Sequence, residues 1–181
     1  VIVDLVFLQT LPDKEWKNGM AEILKHALIA DAGFWQEILP LTRLQSSETL
    51  AGNFMQHGFD ILQKSIQIKA DIVSKDPFEK KERKFLNFGH TIGHALETNS
   101  LKHDDQPMSH GEAVAAGMIC ETFISAKLCG LKPEQRDQIC SAIKNIFPVN
   151  RINKESFAEL VQFVKTDKKA NAGKITYALL A

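Results

Sequence analysis

Four of the six histidines lie within residues 85–118, and their spacing suits chemistry. His90, His94 and Glu97 fall at positions i, i+4 and i+7, so on a helix their side chains share one face. His110 stands before a Gly-Glu pair. A catalytic zinc takes three protein ligands from histidine, aspartate or glutamate and keeps one position open. The pattern predicts a metal site of two imidazoles and a carboxylate, with hydrogen-bonded core histidines as the alternative.

Glu22 is the candidate carboxylate, because it lies off the apolar stripe of its helical segment. The stripe is formed by Ile23, Leu24, Ala27 and Leu28, and the other side carries Glu22, Lys25, His26 and Ile29. Gly89 and Gly93 share the spacing of the two histidines. Mid-helix glycine costs about 1 kcal/mol against alanine, so the pair predicts close approach of another backbone or a ligand.

Basic and amide side chains could hold an anion beside the metal. Arg83, Asn87, His90 and His94 follow one another at steps of four, three and four. If one helix begins before Arg83, a single face carries a guanidinium, an amide and two imidazoles, a set suited to an anion. Lys69 and the pair Lys168–Lys169 are further candidates. The alternative for each lysine is a solvated surface charge.

The hydrophobic pattern predicts a mainly helical domain. Helices are expected after Asp13, from about residue 47 to 74, through the histidine stretch to about residue 99, and over roughly 111–128, 133–147 and 154–165. The segment at 111–128 is apolar on nearly all sides, which is typical of a central helix. Only "KITYALL" alternates like a strand, so a short strand is expected at the end of the chain.

Composition excludes several classes of function. The 181 residues suit one domain, and 22 basic against 22 acidic residues leave no net charge to attract nucleic acid or an anionic membrane. No apolar run approaches the ~18 residues that span a bilayer. Cys120, Cys129 and Cys140 lack metal-type spacing and are expected to be buried free thiols in a reducing compartment. The chain opens at Val1 in mid-pattern, so we expect it to be part of a longer polypeptide.

Four segments, in order, resemble the C-terminal half of the 3-dehydroquinate synthase family. They are "GMAEILKHALI", "RKFLNFGHTIGHALE", "HGEAVAAGM" and "DKK", and the resemblance covers essentially the whole chain. It implies that residues 1–181 form one multi-helix, metal- and substrate-binding domain with a short terminal strand. It also implies that an NAD-binding α/β domain precedes this region and is absent from the chain. The sequence contains no GxGxxG motif.

The resemblance assigns roles residue by residue. Glu22, His90 and His110 would bind zinc or another divalent metal, and His94 would contact substrate and move protons. Lys25 would take part in catalysis. The implied substrate-binding residues are Lys25, Lys69, Arg83, Asn87, His94 and Lys168, with Lys169 left open as the alternative to Lys168.

The family's reaction converts 3-deoxy-arabino-heptulosonate 7-phosphate to 3-dehydroquinate and phosphate in the shikimate pathway. The resemblance implies a cytoplasmic lyase that uses zinc and NAD, forms a homodimer at full length, and binds neither nucleic acid nor membrane. The alternatives are a related sugar-phosphate cyclase, such as a 2-deoxy-scyllo-inosose or amino-dehydroquinate synthase, a polyol dehydrogenase, in which an aspartate replaces Glu22, or a non-catalytic helical scaffold.

Overall fold

The computed structural model describes residues 4–43, 58–147, 154–166 and 175–181, and the described chain is mainly helical, as predicted. The α-helices are α1 (Asp13–Ala30), α2 (Ala32–Ile38), α3 (Phe59–Lys75), α4 (His90–His103), α5 (His110–Leu128), α6 (Pro133–Ile146) and α7 (Phe157–Thr166). Short 3₁₀ helices cover Leu5–Thr10, Leu39–Thr42, Glu82–Asn87 and Lys154–Ser156.

Helix α5 is the central element, as its apolar sequence predicted. It packs against α4, α1 and α6. Ala113, Val114, Ala115 and Met118 are completely buried, while Phe123 is about half exposed. A helix that is apolar on most sides is stable in water only when several neighbours cover it.

Glycines allow the backbones of α4 and α5 to come into direct contact where the two helices cross. A Cβ added to Gly117 would lie 1.9 Å from the carbonyl oxygen of Gly89 and 2.7 Å from the backbone nitrogen of Gly93. A Cβ added to Gly93 would lie 3.0 Å from the Ala113 carbonyl oxygen. Only residues without a side chain permit this distance between backbones. The predicted close approach at Gly89 and Gly93 is therefore confirmed, and the approaching group is the α5 backbone.

Helix α1 also packs against α5. Its apolar stripe is buried at Ile23, Leu24 and Ala27, and packs with Phe34 of α2 and Ile143 of α6 in one core cluster. Burying such side chains stabilises a domain by about 1.5–3 kcal/mol each. This packing fixes the rotation of α1 and so determines which of its side chains face α4.

The condition for a face shared by Arg83, Asn87, His90 and His94 was one helix that begins before Arg83, and this condition is not met. Glu82–Asn87 is a 3₁₀ turn, Gly89 adopts a left-handed φ of 79°, and α4 begins only at His90. The loop between α3 and this 3₁₀ turn is held by the side chain of Asp76. Its carboxylate accepts hydrogen bonds from three backbone N–H groups, including that of Arg83 at 3.2 Å. Arg83 and Asn87 therefore do not share the helical face of His90 and His94.

The predicted terminal strand is also not formed: within the described residues no β-strand is present, and 175–181 runs without regular structure. A strand needs a partner to complete its hydrogen-bond ladder. Here the backbone contacts side chains instead, since Leu180 N–H donates to Ser125 Oγ at 3.0 Å and the Thr176 carbonyl accepts from Thr91 Oγ1 at 3.4 Å. The first part of the predicted 47–74 helix lies outside the described residues.

The three cysteines are free, but only Cys140 is buried; Cys120 is half-buried and Cys129 is exposed. Burial raises the pKa of the Cys120 and Cys140 thiols. The expectation of three buried thiols is thus confirmed for Cys140, holds only in part for Cys120 and is wrong for Cys129. Among the described helices, none is long and apolar enough to cross a membrane.

Candidate metal centre

Three helices bring Glu22, His90 and His110 together. One potential ligand atom from each residue lies within 4.8 Å of those of the other two. His90 Nε2 is 3.6 Å from Glu22 Oε1, and the ring centroids of His90 and His110 are 5.6 Å apart. The proposed ligands are therefore neighbours in space although 88 residues separate the first from the last along the chain.

The start of α5 places His110 beside α1. Ser109 caps α5 in a capping box with Glu112, so the helix begins at His110. Gly111 N–H donates to Asn18 Oδ1 at 3.2 Å, and a Cβ on Gly111 would lie 2.5 Å from Asn18 Cα. Because Asn18 is one turn before Glu22, this contact sets the Glu22 carboxylate near His110.

The Glu22 carboxylate has one oxygen engaged and one available. Oε2 accepts a hydrogen bond from Lys25 Nζ at 2.6 Å, while no group in the described chain donates to the buried Oε1. Burial alone would raise the pKa of Glu22, but the charge and hydrogen bond of Lys25 outweigh it and lower that pKa below its usual value. A buried, anionic oxygen without a donor requires a cation or another partner.

The hydrogen bonding of His90 leaves its Nε2 available to bind a metal. The Nδ1–H donates to the Phe88 carbonyl at 3.2 Å, which leaves Nε2 as the lone-pair nitrogen facing Glu22. Burial, with the nearby Lys25 charge, lowers the pKa of His90 to about 4. The imidazole is therefore neutral near pH 7, the state that binds a metal.

His110 is held in the same way by a carboxylate. Its Nδ1 lies 3.2 Å from Glu97 Oε2, so donation from Nδ1–H leaves Nε2 available. Such carboxylate–histidine pairs fix the tautomer and ring orientation of metal ligands. His94 completes a group of three imidazoles, with centroids 5.4 Å from His90 and 6.1 Å from His110.

These observations fit a zinc ion. Two imidazole nitrogens and a carboxylate oxygen are a known catalytic donor set, and both histidines have their second nitrogen engaged. His110 is exposed, so one side of the group opens to solvent. The unpartnered Glu22 Oε1 is the strongest single sign that a cation belongs here.

We expect Glu97→Ala to weaken zinc binding by about 10–100-fold, because His110 loses the partner that orients it. Glu97→Gln retains an acceptor and should lose less. Isothermal titration with Zn²⁺ measures both. Glu159→Ala is the matched control, since Glu159 holds His103 at 2.7 Å on another surface of α4. Equal zinc affinities for Glu97→Ala and Glu159→Ala would contradict the role of Glu97.

His26 lies between Glu22 and helix α3. It is buried, its Nδ1 lies 2.8 Å from Ser65 Oγ of α3, and its Nε2 is 3.9 Å from Glu22 Oε2. That distance is too long for a hydrogen bond, so a supporting bond to Glu22 is not formed. Burial, with the positive charge of Lys25, lowers the pKa of His26 to about 4.

The metal-free protein is expected to lose stability as the pH falls below about 6.5. His26 and His90 have pKa values of about 4 when folded against an ordinary 6.5, so in this window the unfolded chain binds more protons and the free energy of unfolding decreases. Each histidine accounts for up to about 2 kcal/mol between about pH 7 and pH 5. His26→Gln, which cannot be protonated, should reduce this loss in urea unfolding. The same pH dependence in His26→Gln would contradict the assignment.

The predicted substrate-binding residues occupy different places. Lys25 is buried against Glu22, and Lys69 is exposed one turn after Ser65, close enough to lower the pKa of His26. Arg83 donates to the Pro77 carbonyl at 2.7 Å, and Asn87 donates to Glu79 Oε1 at 2.7 Å. The structure thus places Lys25 and His94 beside the proposed metal ligands. Arg83 and Asn87 lie on the turn before α4.

Lys168 and Lys169 lie outside the described residues.

Two residues near the proposed metal centre received no role from the sequence: Glu97 and Glu121. Glu97 shares the face of His90 and His94, and that spacing was the signal for it. Glu121 had only one signal, a single acid on an otherwise apolar segment of α5.

Comparison with known proteins gives one family. The family described as 3-dehydroquinate synthase C-terminal matches residues 19–170. A 3-dehydroquinate synthase of Bacillus cereus is 39% identical over 181 residues, which cover 99% of this chain and 47% of the relative. One from Lysinibacillus sphaericus is 36% identical over 183 residues, with the same coverage. The chain spans about half the length of the curated relatives it matches.

A solved structure shares the fold. The 2-epi-5-epi-valiolone synthase of Streptomyces hygroscopicus, with NAD+ and Zn2+ bound, superposes with a TM-score of 0.71 at 24% sequence identity. The match covers 90% of this chain and 44% of that one. At this identity the likeness establishes the architecture alone.

Proposed function

The chain belongs to the C-terminal family of the 3-dehydroquinate synthases, and we propose that it is the metal- and substrate-binding half of such an enzyme. The reaction is conversion of 3-deoxy-arabino-heptulosonate 7-phosphate to 3-dehydroquinate and phosphate. The observation that carries the proposal is the convergence of Glu22, His90 and His110, with Glu22 Oε1 buried and without a donor in the described chain.

Zinc is the metal proposed for this centre, held by Glu22, His90 and His110. When bound, it supplies a Lewis acid that stabilises negative charge on a substrate oxygen. Around it, Lys25 keeps Glu22 anionic and Glu97 keeps His110 in the binding tautomer. These neighbours let the three side chains meet a cation without rearrangement of the helices.

His94 is the residue proposed to move protons and contact substrate. It is half-buried, beside both proposed histidine ligands. An imidazole can donate a proton from one ring nitrogen and accept one at the other, so His94 could give or take a proton during elimination of phosphate. Lys25 is proposed to assist at the same place, since its ammonium lies against the metal carboxylate.

Cationic and amide groups are proposed to hold the substrate's carboxylate and phosphate. They are Lys69, Arg83, Asn87 and Lys168, of which the last lies outside the described residues. Asn87 would exchange its hydrogen bond to Glu79 for one to substrate, and the Arg83 guanidinium, which donates to the Pro77 carbonyl, would pair with an anionic group. Fixing both ends of the substrate favours reaction by positioning.

The remaining features of the family are proposed with the activity. They are NAD bound by a nucleotide-binding domain outside these 181 residues, a homodimer at full length, and a cytoplasmic location. The sequence carries no glycine-rich dinucleotide motif of its own. We therefore expect the 181 residues alone to show no turnover, measured as phosphate release with NAD and zinc supplied. Turnover by this chain alone would contradict the proposal that NAD is bound by a separate domain.

The activity is tested on the full-length protein that carries these residues. With NAD and zinc present, we expect release of phosphate and formation of 3-dehydroquinate from the heptulosonate phosphate. The same assay is run with the seven-carbon and six-carbon sugar phosphates that related cyclases use. Preference for a substrate that lacks a carboxylate would overturn the assignment in favour of another cyclase. Absence of turnover on all of them, with zinc bound, would favour a non-catalytic domain.

A further inference from the structure

Glu121 is a carboxylate with no exposure to solvent. It lies on α5, where the residues on the same side are apolar or small, and its fractional exposure is 0%. Burying a charged group costs several kcal/mol unless hydrogen bonds compensate it. Its partners therefore indicate what the residue does.

Two of those partners are backbone N–H groups at the start of α4. Glu121 Oε2 accepts from Gly89 N–H at 2.7 Å, and Oε1 accepts from Ile92 N–H at 3.3 Å. The first N–H groups of a helix have no partner within the helix, and a side chain commonly caps them. Here the capping position is Gly89, which has no side chain, and the first turn of α4 contains no acid. Glu121 supplies the missing cap from a neighbouring helix.

The two bonds hold the backbone on both sides of His90. Gly89 precedes His90 in a left-handed conformation, and Ile92 follows it by two residues. The Phe88 carbonyl, which accepts from His90 Nδ1, belongs to the same turn. A shift of this turn would move both the Cα of His90 and the group that sets its tautomer.

Helix α5 contacts the backbone around Gly89 through two residues that lie four positions apart on α5. Gly117 packs directly on the Gly89 carbonyl, and Glu121 binds the Gly89 N–H. Because both lie on α5, which also begins with His110, one helix determines the positions of two proposed ligands. The arrangement couples a buried charge to the geometry of the metal centre.

We propose that Glu121 is a positioning residue: by capping α4 from α5, it directs the His90 imidazole toward Glu22 and His110. This inference rests on the proposed metal centre. Glu121 does not touch metal or substrate, and it acts through the backbone around His90. This role requires a side chain with two acceptor oxygens that is long enough to reach both N–H groups.

The test is zinc affinity of the full-length protein with Glu121→Gln. Glutamine has the same size, but its amide group must face one of the two N–H donors. We expect zinc affinity to fall about tenfold or more, as for other residues that orient metal ligands. Thr122→Val is the matched control, because Thr122 is equally buried and its hydroxyl donates to the Met118 carbonyl within α5. Its zinc affinity should stay unchanged.

Combination with His90→Ala separates positioning from general stability. If Glu121 acts through His90, Glu121→Gln lowers zinc affinity in the unsubstituted protein and has no further effect in His90→Ala. An equal loss in both backgrounds, or no loss in either, overturns the inference. Should Glu121→Gln not fold, Glu121→Asp is measured, since it keeps the charge but shortens the reach; unchanged affinity in that variant also overturns it.

Failure of the metal centre itself gives a different result. If the unsubstituted protein binds no zinc, or His90→Ala binds it as tightly, the proposed function fails together with the inference. If His90→Ala weakens zinc binding but Glu121→Gln does not, only the role of Glu121 is lost.

Discussion

Replacing His110 by alanine is expected to lower turnover of the full-length protein by about a thousandfold or more. The substitution removes a proposed metal ligand, and the Lewis acid it helps to hold contributes several kcal/mol to such reactions, with about 1.4 kcal/mol for each factor of ten. The His110 side chain is 49% exposed, so its loss should change the stability of the metal-free protein by only about 0.5 kcal/mol. Initial rates and urea unfolding measure the two effects.

His103→Ala is the matched control for this experiment. The His103 side chain is 46% exposed and is also paired with a carboxylate, that of Glu159 at 2.7 Å. The two histidines differ in that only His110 lies among the proposed metal ligands. Full activity in His103→Ala with loss in His110→Ala supports the metal centre. Similar rates for the two variants would show that His110 is an ordinary surface histidine.

Gly117→Ala is expected to destabilise the fold by about 3 kcal/mol. The added methyl group would lie 1.9 Å from the Gly89 carbonyl oxygen, and the obstacle is backbone, which no side-chain rotation can move. The α4–α5 crossing must therefore widen, and His90 moves away from Glu22 and His110. Urea unfolding of the metal-free protein gives the stability, and titration with Zn²⁺ gives the second effect.

Gly19→Ala provides the control within another helix. A Cβ at Gly19 meets no atom of the described chain within 4 Å, and Gly19 lies inside α1. Alanine there should stabilise the protein by about 0.5–1 kcal/mol, because it favours the helix without a clash. A destabilisation below about 1 kcal/mol for Gly117→Ala would mean that the helices separate easily, and the account of the crossing would be wrong.

The helices that carry the site could be predicted because their signals are local. The apolar stripe of α1 identified the face that leaves Glu22 outside the core, and the spacing of His90 and His94 placed both on one side of α4. The apolar α5 indicated a central helix. Periodicity of this kind depends only on which side chains need burial.

What the sequence did not predict depends on backbone conformation and on partners far along the chain. The step pattern from Arg83 to His94 imitates a helix, but Gly89 takes a left-handed φ that spacing does not encode. The alternation in 175–181 indicated a strand, and a strand forms only if another pairs with it.

The burial of Lys25 and Glu121 could not be predicted from the sequence either. Lys25 lies on the polar side of α1 by sequence, yet it is buried because Glu22 neutralises it. Glu121 bonds to N–H groups 29 and 32 residues earlier in the chain, so no local pattern could reveal it. Glu22, His90 and His110 meet because three helices pack in a particular arrangement. The spacing of residues predicts which face of each helix is buried, but it does not predict how the helices are placed relative to one another.

Anomalous diffraction at the zinc edge, from crystals of the zinc-loaded full-length protein, would locate the bound metal among the side chains. One zinc ion should bind Glu22, His90 and His110, with ligand distances of about 2.0–2.2 Å. A zinc ion held elsewhere, or at this place without one of the three side chains, would show that these residues do not form the metal centre.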